Sequence, residues 1–303
     1  MNGLDAALTA GAGLLAGGVN AIAGGGTLIA FPALLAAGLP AVTANITSST
    51  GLVTGYAGGA LGYRRELAGQ AARLRALGPA AILGGVVGAV ILLVTPKDAF
   101  KAAVPFLVLL SCALLAGQTR LAGVVARRRA ARTAAAAEPA RAAAPTAEPD
   151  GPPSGSPAGV ATTTSEAIVT GRTGTAVGAS AAAQPVTWPT RVGVFLAGAY
   201  GSYFGAGLGV LLLGVLGILL VDDLQRTNAL KTLLSFIVNA VGVVIFLVSA
   251  QVAWAYAGIL VVTSAVGGVL GARVARLLPA KALRAGVITV GVAVAVVLLV
   301  RDF

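Results

Sequence analysis

Two glycine clusters, each inside a long apolar run, have the residue types and spacing to bind a small ligand. The first is Gly24-Gly25-Gly26 with Thr27, in the run 8–37, and the second contains Gly205 and Gly207, in the run 192–221. Either run as one helix would be about 45 Å long, against a hydrocarbon core of about 30 Å. Glycine weakens helices, so we expect a break at each cluster, with Pro32 contributing to the first. A broken helix at membrane depth is tolerated where its backbone lines a cavity or is buried in protein. A single cluster would more simply serve close helix packing, but two copies favour a substrate site.

Polar residues located after the clusters add hydrogen-bond donors. Asn45, Ser48 and Ser49 come after the first cluster, and Asn228 and Lys231 after the second. The asparagines are either helix N-caps or paired donors to a ligand, and a helix N-terminus itself favours anions. Lys231 is the one charged residue that we place within a span. It either extends to the lipid head groups or contacts an anion.

The scarcity of acidic residues, histidine and cysteine within the apolar runs limits which functions the protein can have. None of the ten acidic residues falls in the middle of an apolar run, so a cation carrier or a carboxylate proton relay is disfavoured. There is no histidine, and the single cysteine, Cys112, allows neither a disulfide nor a cysteine metal site. We therefore predict a protein that is not an enzyme, with no cofactor, no metal and a pocket suited to an oxyanion. The predicted substrate-binding residues are Gly24, Gly25, Gly26, Thr27, Asn45, Ser48, Ser49, Gly205, Gly207, Asn228 and Lys231.

The amino-acid composition indicates that the elements positioning these residues are membrane-spanning helices. The 303 residues are 57% hydrophobic and 10% charged, whereas soluble domains are about 25% charged. Several apolar runs near 20 residues indicate an all-α polytopic membrane protein. The net charge of +11 lies in short clusters at the ends of the runs. Such clusters orient spans and contact anionic lipids, so we predict the lipid bilayer and no nucleic acid as a partner.

The chain also carries an internal duplication. One fixed offset aligns the glycines around the two clusters, and a second offset holds without gaps from Ala44 to Lys101. The pairs are Gly17 with Gly198, Gly24 with Gly205, Gly26 with Gly207, Asn45 with Asn228, Pro96 with Pro279 and Lys101 with Arg284. A gapless register that includes Asn, Pro and a basic residue is not expected from chance in Ala/Gly-rich sequence.

This duplication predicts three segments: a first transmembrane repeat over 1–125, a disordered Ala/Pro/Ser/Thr-rich cytoplasmic linker over 126–188, and a second repeat over 189–303. Each repeat would hold one broken segment and three spans. If the broken segments cross the membrane the repeats are parallel, and if they dip in and return the repeats are inverted. Only the inverted arrangement places all three basic regions, around Arg64, Arg127 and Arg273, in the cytoplasm. We favour it, with both termini outside.

The motifs resemble a known family. The stretches Asn20–Pro32 (NAIAGGGTLIAFP), Thr47–Ser49, Gly62–Leu67 (GYRREL) and Arg226–Lys231 (RTNALK) are similar to those of the sulfite exporter TauE/SafE family of bacterial membrane transporters. The resemblance implies a duplicated helical core that moves small sulfur-containing or organic anions such as sulfite, sulfonates and sulfoacetate. Two departures stand out: Thr27 replaces a glycine found in many relatives, and the linker is long.

The sequence therefore predicts a bacterial inner-membrane transporter of sulfite, sulfonates or related organic oxyanions. We expect export, because an inside-negative potential drives anions out, with the substrate bound where the two broken segments meet. Assembly into a homo-oligomer stays open. The alternative is a membrane subunit that does not transport and instead binds a partner through the central linker.

Overall fold

The computed structural model describes residues 2–22, 24–142, 186–220, 222, 224–249, 252–274 and 280–302, and all regular structure in these ranges is helical. The elements are α1 (Gly3–Ile22), α2 (Thr27–Ala36), α3 (Ala41–Gly62), α4 (Arg64–Leu67), α5 (Ala71–Val94), α6 (Lys97–Ala142), α7 (Trp188–Tyr203), α8 (Leu208–Leu219), α9 (Leu224–Ser249), α10 (Trp254–Val274) and α11 (Ala280–Asp302).

Within these ranges four helical stretches are long and apolar enough to cross a membrane: Ala71–Val94, Lys97–Gln118, Gln225–Val248 and Trp254–Gly271. Three shorter apolar helices accompany them: Thr27–Ala36, Leu208–Leu219 and Ala285–Val300. Helix α3 also has the length of a span, but it is rich in Thr, Ser and Gly, and most of its residues between Ala44 and Gly59 are buried. A helix of this composition is suited to the bundle interior. The all-α polytopic fold is confirmed.

Both predicted helix breaks are present at the glycines. Helix α1 ends at Ile22 and α2 begins at Thr27, while α7 ends at Tyr203 and α8 begins at Leu208. The prediction that Pro32 contributes to the first break is wrong, because Pro32 lies inside α2. The glycines are sufficient, since they adopt backbone angles that end a helix at no steric cost.

Helices α1 and α2 form a hairpin that enters the bundle and returns, and α3 follows it. Helix α10 packs in parallel against both α1 and α3, so those two helices run in the same direction. Because α2 connects them, it runs back towards the start of α1. The contacts that set this register are Gly13–Thr263 and Gly18–Gly271 for α1, and Gly51–Leu260 and Gly55–Ser264 for α3.

The second hairpin, α7 and α8, enters from the opposite end. Helix α9 runs antiparallel to α3, since Asn228 contacts Tyr63 and Thr232 lies against Gly59. Helix α7 is parallel to α5, because Gly84 packs on Phe195 and Gly88 on Ala199. Asp222, just after α8, forms an ion pair with Arg73 at the start of α5, so α8 ends where α7 began. This antiparallel relation is the one that inverted repeats would have; the duplication itself stays a prediction.

The charged residues concentrate at one end of the bundle, which we call the basic face and define by Arg64, Arg65, Arg73, Arg75 and Arg191. Helix α10 ends at this face, because it runs parallel to α3, which is followed by Arg64. The opposite end, where α1, α3 and α6 begin, is the far face. The positive-inside tendency predicts that the basic face is cytoplasmic.

Helix α11 runs antiparallel to α6, so it begins at the basic face. Gly291 packs against Cys112, and Leu298 lines a cavity with Val104 near the start of α6. Helix α6 continues to Ala142, into the segment that we predicted as linker. Residues 143–185 of that segment lie outside the described residues, so the domain boundaries stay predictions.

Cysteine labelling tests this orientation. In a Cys112→Ala background, Gly151→Cys in the predicted linker and Ala280→Cys at the start of α11 are expected to react with a membrane-impermeant maleimide only from the cytoplasmic side. Ala99→Cys, exposed at the far face, is the matched control and should react only from outside. Labelling of Ala280→Cys from outside intact cells would contradict the inverted arrangement.

Candidate functional site

The two helix breaks lie against each other in the core. A Cβ atom added to Gly24 would be 2.8 Å from Cα of Gly209, and one added to Gly205 would be 3.3 Å from Oγ1 of Thr27. Just beyond, the rings of Phe31 and Phe204 pack edge to face with centroids 5.5 Å apart. The structure thus brings together predicted site residues from both halves of the chain: Gly24, Thr27 and Gly205.

Local backbone bonds already use part of the donor set that we predicted for an anion. Gly24 has φ +81°, in the left-handed region, and its N–H donates to the Val19 carbonyl over 3.0 Å. The Gly26 N–H donates to Oδ1 of Asn20 over 2.8 Å. Gly205 and Gly207 have φ +80° and +86° and shape the second break in the same way. In this conformation the amides of Gly24 and Gly26 stabilise the turn, so they are not free for a substrate.

Asn45 connects the first half of the chain to the second break. Its side chain is fully buried, and Nδ2 donates to the carbonyl of Tyr203 over 2.9 Å. That carbonyl ends α7, so Asn45 satisfies an acceptor that the break leaves open. The Ser48 hydroxyl donates to the Asn45 carbonyl over 2.9 Å, and Ser49 is buried on the next position. The N-cap interpretation is wrong for Asn45, because α3 begins earlier, at Ala41 after Pro40.

Asn228 lies at the other end of the bundle. Its Nδ2 donates to the Tyr63 hydroxyl over 3.1 Å, and it too is inside a helix, since α9 begins at Leu224. Tyr63 is 18 residues after Asn45, or about 27 Å along α3. The two asparagines therefore do not form one pair of donors. In an inverted arrangement, equivalent residues away from the midplane are placed on opposite sides of it.

Lys231 is buried inside the bundle, with 2% of its surface exposed. A side chain that extends to the lipid head groups would be covered by lipid, not by protein, so the burial favours a position inside the bundle. Burying a charge is costly unless other groups compensate it. No Asp or Glu is buried among the residues that the structure describes. Lys231 is therefore the one buried side chain with a formal charge among the described residues.

Helix α9 carries a row of buried polar residues that we did not predict as site residues. Ser235 and Asn239 follow Lys231 at intervals of four residues, so all three lie on one helix face. Tyr56, from α3, lies close to Asn239 and to Asn20 of α1. Each of these residues and Ser235 is at most 5% exposed. Two signals could have found them: an asparagine in the middle of an apolar span, and the duplicated register, which pairs Tyr56 with Asn239.

A cavity of about 590 Å³ opens at the far face, between the starts of α3 and α6 and the ends of α2, α5 and α11. Lys97, Asp98 and Lys101 lie on its wall, and Ile46 and Val104, each 2% exposed, lie at its base. Ile46 is adjacent to Asn45, so the cavity reaches the helix that braces the second break. Within the described residues, no group of His, Cys, Asp and Glu side chains could hold a metal ion.

Comparison with known proteins assigns the chain to a family. The family model described as Sulfite exporter TauE/SafE matches residues 9–298, nearly the whole chain. No curated protein and no solved structure matches the chain. The family consists of membrane transporters of the sulfite and related-anion type, in agreement with the apolar helices described above. The chain therefore belongs to the sulfite exporter TauE/SafE family.

Proposed function

We propose that this protein exports small oxyanions, namely sulfite, sulfonates or related organic anions, across the bacterial inner membrane. The observation that carries the proposal is the meeting of two oppositely inserted hairpins at Gly24, Gly205 and Gly209 in the core. Broken helices that meet in this way form substrate sites in other transporters. The buried Lys231 and the lack of buried carboxylates in the described bundle favour an anion over a cation.

Export follows from electrostatics without a coupled ion. Moving one negative charge out of an inside-negative cell releases about 2.3 kcal/mol per 100 mV of membrane potential. A proton-coupled uptake carrier would need a group that exchanges protons within the membrane, and such groups are commonly carboxylates. The absence of buried Asp and Glu in the described residues supports a uniporter.

The far-face cavity is suited to be the outer vestibule of this path. Its wall carries two lysines and one aspartate, so its charge is positive overall. A cleft with a net positive charge raises the local concentration of anions. An anion leaving the core would thus have a favourable route past Thr43 and Lys101 to the outside.

Flux measurements test the proposal. Purified protein in liposomes loaded with radiolabelled sulfite is expected to release the label, faster when the lumen is made negative and slower when it is made positive. Protein-free liposomes give the leak, and labelled methanesulfonate and sulfate give the selectivity. Absence of flux for every anion from folded protein would overturn transport and favour the alternative, a subunit that binds a partner through the linker.

A further inference from the structure

The interior of the bundle contains a polar cluster apart from the glycine breaks, which we call the central polar cluster. Its members come from four helices of both halves and are Asn20 (α1), Tyr56 (α3), Ser202 (α7), and Ser235 and Asn239 (α9). Each is at most 5% exposed. Asn239 contacts the Ser235 carbonyl, Tyr56 lies within reach of Asn20 and Asn239, and Ser202 lies against Gly242, one turn beyond Asn239.

Two buried hydroxyls in this cluster, those of Ser202 and Ser235, have no hydrogen-bond partner among the described residues. Nδ2 of Asn20 and the Tyr56 hydroxyl are buried as well, and the tyrosine is placed to hydrogen-bond with the side chains of Asn20 and Asn239. Buried polar groups are almost always hydrogen-bonded in native proteins, because leaving them unpaired is costly. Two unpartnered hydroxyls beside the buried Asn20, Tyr56 and Asn239 side chains therefore point to a partner that is not part of the chain.

The orientation of the two amides is fixed by the groups that they already bind. Oδ1 of Asn20 accepts the Gly26 N–H over 2.8 Å, so Nδ2 is left as a donor directed elsewhere. Nδ2 of Asn239 donates to the Ser235 carbonyl over 2.9 Å. Asn20 Nδ2 is a donor only, and the Tyr56 and serine hydroxyls can all donate. With no buried carboxylate among the described residues, the cluster suits a ligand rich in acceptors.

We propose that Asn20 and Tyr56 bind the oxyanion at the centre of the membrane. The next donors are Ser235, one turn before Asn239 on α9, and Ser202 of α7, which lies against Gly242 one turn after it. This inference rests on the proposed transport function and names the residues that would hold its substrate. Lys231 lies one turn before Ser235, about 6 Å along the helix, and adds a positive charge to one side of the position. Sulfite and sulfonates present three oxygens that accept hydrogen bonds from several directions.

Asn20 also links occupancy of this position to the first break. One end of its side chain holds the Gly26 amide inside the break, and the other end donates into the cluster. An anion that accepts a hydrogen bond from Nδ2 therefore contacts the same side chain that holds the turn between α1 and α2. This gives bound substrate a differential contact with the hairpin, which any ligand-driven conformational change requires.

Two variants separate binding from folding. Tyr56→Phe removes only the hydroxyl, and Asn20→Asp keeps the acceptor for the Gly26 N–H while replacing the donor with a carboxylate oxygen. The matched control is Tyr200→Phe, which removes a tyrosine hydroxyl bonded to the Ser111 hydroxyl over 2.8 Å. The readouts are equilibrium binding of radiolabelled sulfite to purified protein, the melting temperature without anion, and flux.

We expect Tyr56→Phe to bind sulfite roughly tenfold more weakly, the change for about 1.4 kcal/mol, and to melt no lower than the parent protein without anion. Tyr200→Phe should melt lower and bind normally, and Asn20→Asp should bind least because it repels the anion.

If Tyr56→Phe melts lower and binds sulfite as the parent does, water or protein partners satisfy the hydroxyl and the assignment is overturned. If the parent protein transports while both variants bind normally, the function stands and this position is wrong. If the parent neither binds nor transports any of the tested anions, the proposed function fails first.

Discussion

Replacing Gly24 by alanine is expected to abolish transport, whereas replacing Gly38 by alanine should leave it intact. Both glycines have left-handed backbone angles, with φ +81° and +85°, so both substitutions carry the backbone cost of about 1–2 kcal/mol. Only Gly24 is also closely packed: its Cβ would lie 2.8 Å from Cα of Gly209, whereas nothing lies within 4 Å of the Cβ position at Gly38. Overpacking adds roughly 1–3 kcal/mol.

The comparison isolates the contact between the two breaks. Thermal unfolding in detergent should show a small loss of stability for Gly38→Ala and a loss about twice as large or more for Gly24→Ala. Sulfite efflux from liposomes should be lost only in the second variant, because the added methyl group separates the hairpin tips. Equal stability and flux in the two variants would mean that the tips do not need this contact.

Lys231→Gln is expected to give a folded, inserted protein with about thirtyfold lower affinity for the anion. Lys231 is 2% exposed, so its charge is poorly screened by water. A charge-assisted hydrogen bond is about twice as strong as a neutral one, and its loss would cost on the order of 2 kcal/mol. Lys231→Arg should retain part of the activity, because a planar guanidinium does not reproduce the geometry of a compact ammonium group.

The half-saturation concentration for efflux is the quantity to measure. Arg120→Gln removes the same charge from an exposed position on α6 and serves as the control. Its half-saturation concentration should match that of the parent protein. Should Lys231→Gln transport with an unchanged half-saturation concentration, the lysine would be structural and the substrate would be held by neutral donors alone.

Features with a local physical cause could be predicted from the sequence. The breaks at Gly24 and Gly205 follow from the conformational freedom of glycine inside runs too long for one span. The position of the Arg64 loop and of Arg127 at the same end also follows, because two spans lie between them. These arguments need only neighbouring residues and the thickness of a bilayer.

Features that depend on distant parts of the chain could not be predicted in this way. Asparagine favours N-cap positions, which suggested that role for Asn45, but Pro40 is better suited to begin α3 and places Asn45 in the helix interior. Asn20 and Tyr56 were not predicted as site residues because Asn239, which lies close to Tyr56, is 183 residues further along the chain. The contact between Asn45 and the Tyr203 carbonyl, in contrast, has no signature within a single helix.

The parallel packing of α1 on α10 has a consequence for the synthesis of the protein. Helix α1 ends at Ile22, and its partner begins at Trp254, about 230 residues later. At roughly 5–20 residues per second, the ribosome needs about 12–46 s to supply that partner. During this interval the glycine-lined side of α1 and the polar side of α3 are in the bilayer without the helices that cover them. The lifetime of this half-assembled state is set by translation, so insertion factors and quality-control proteases have many seconds in which to act on it.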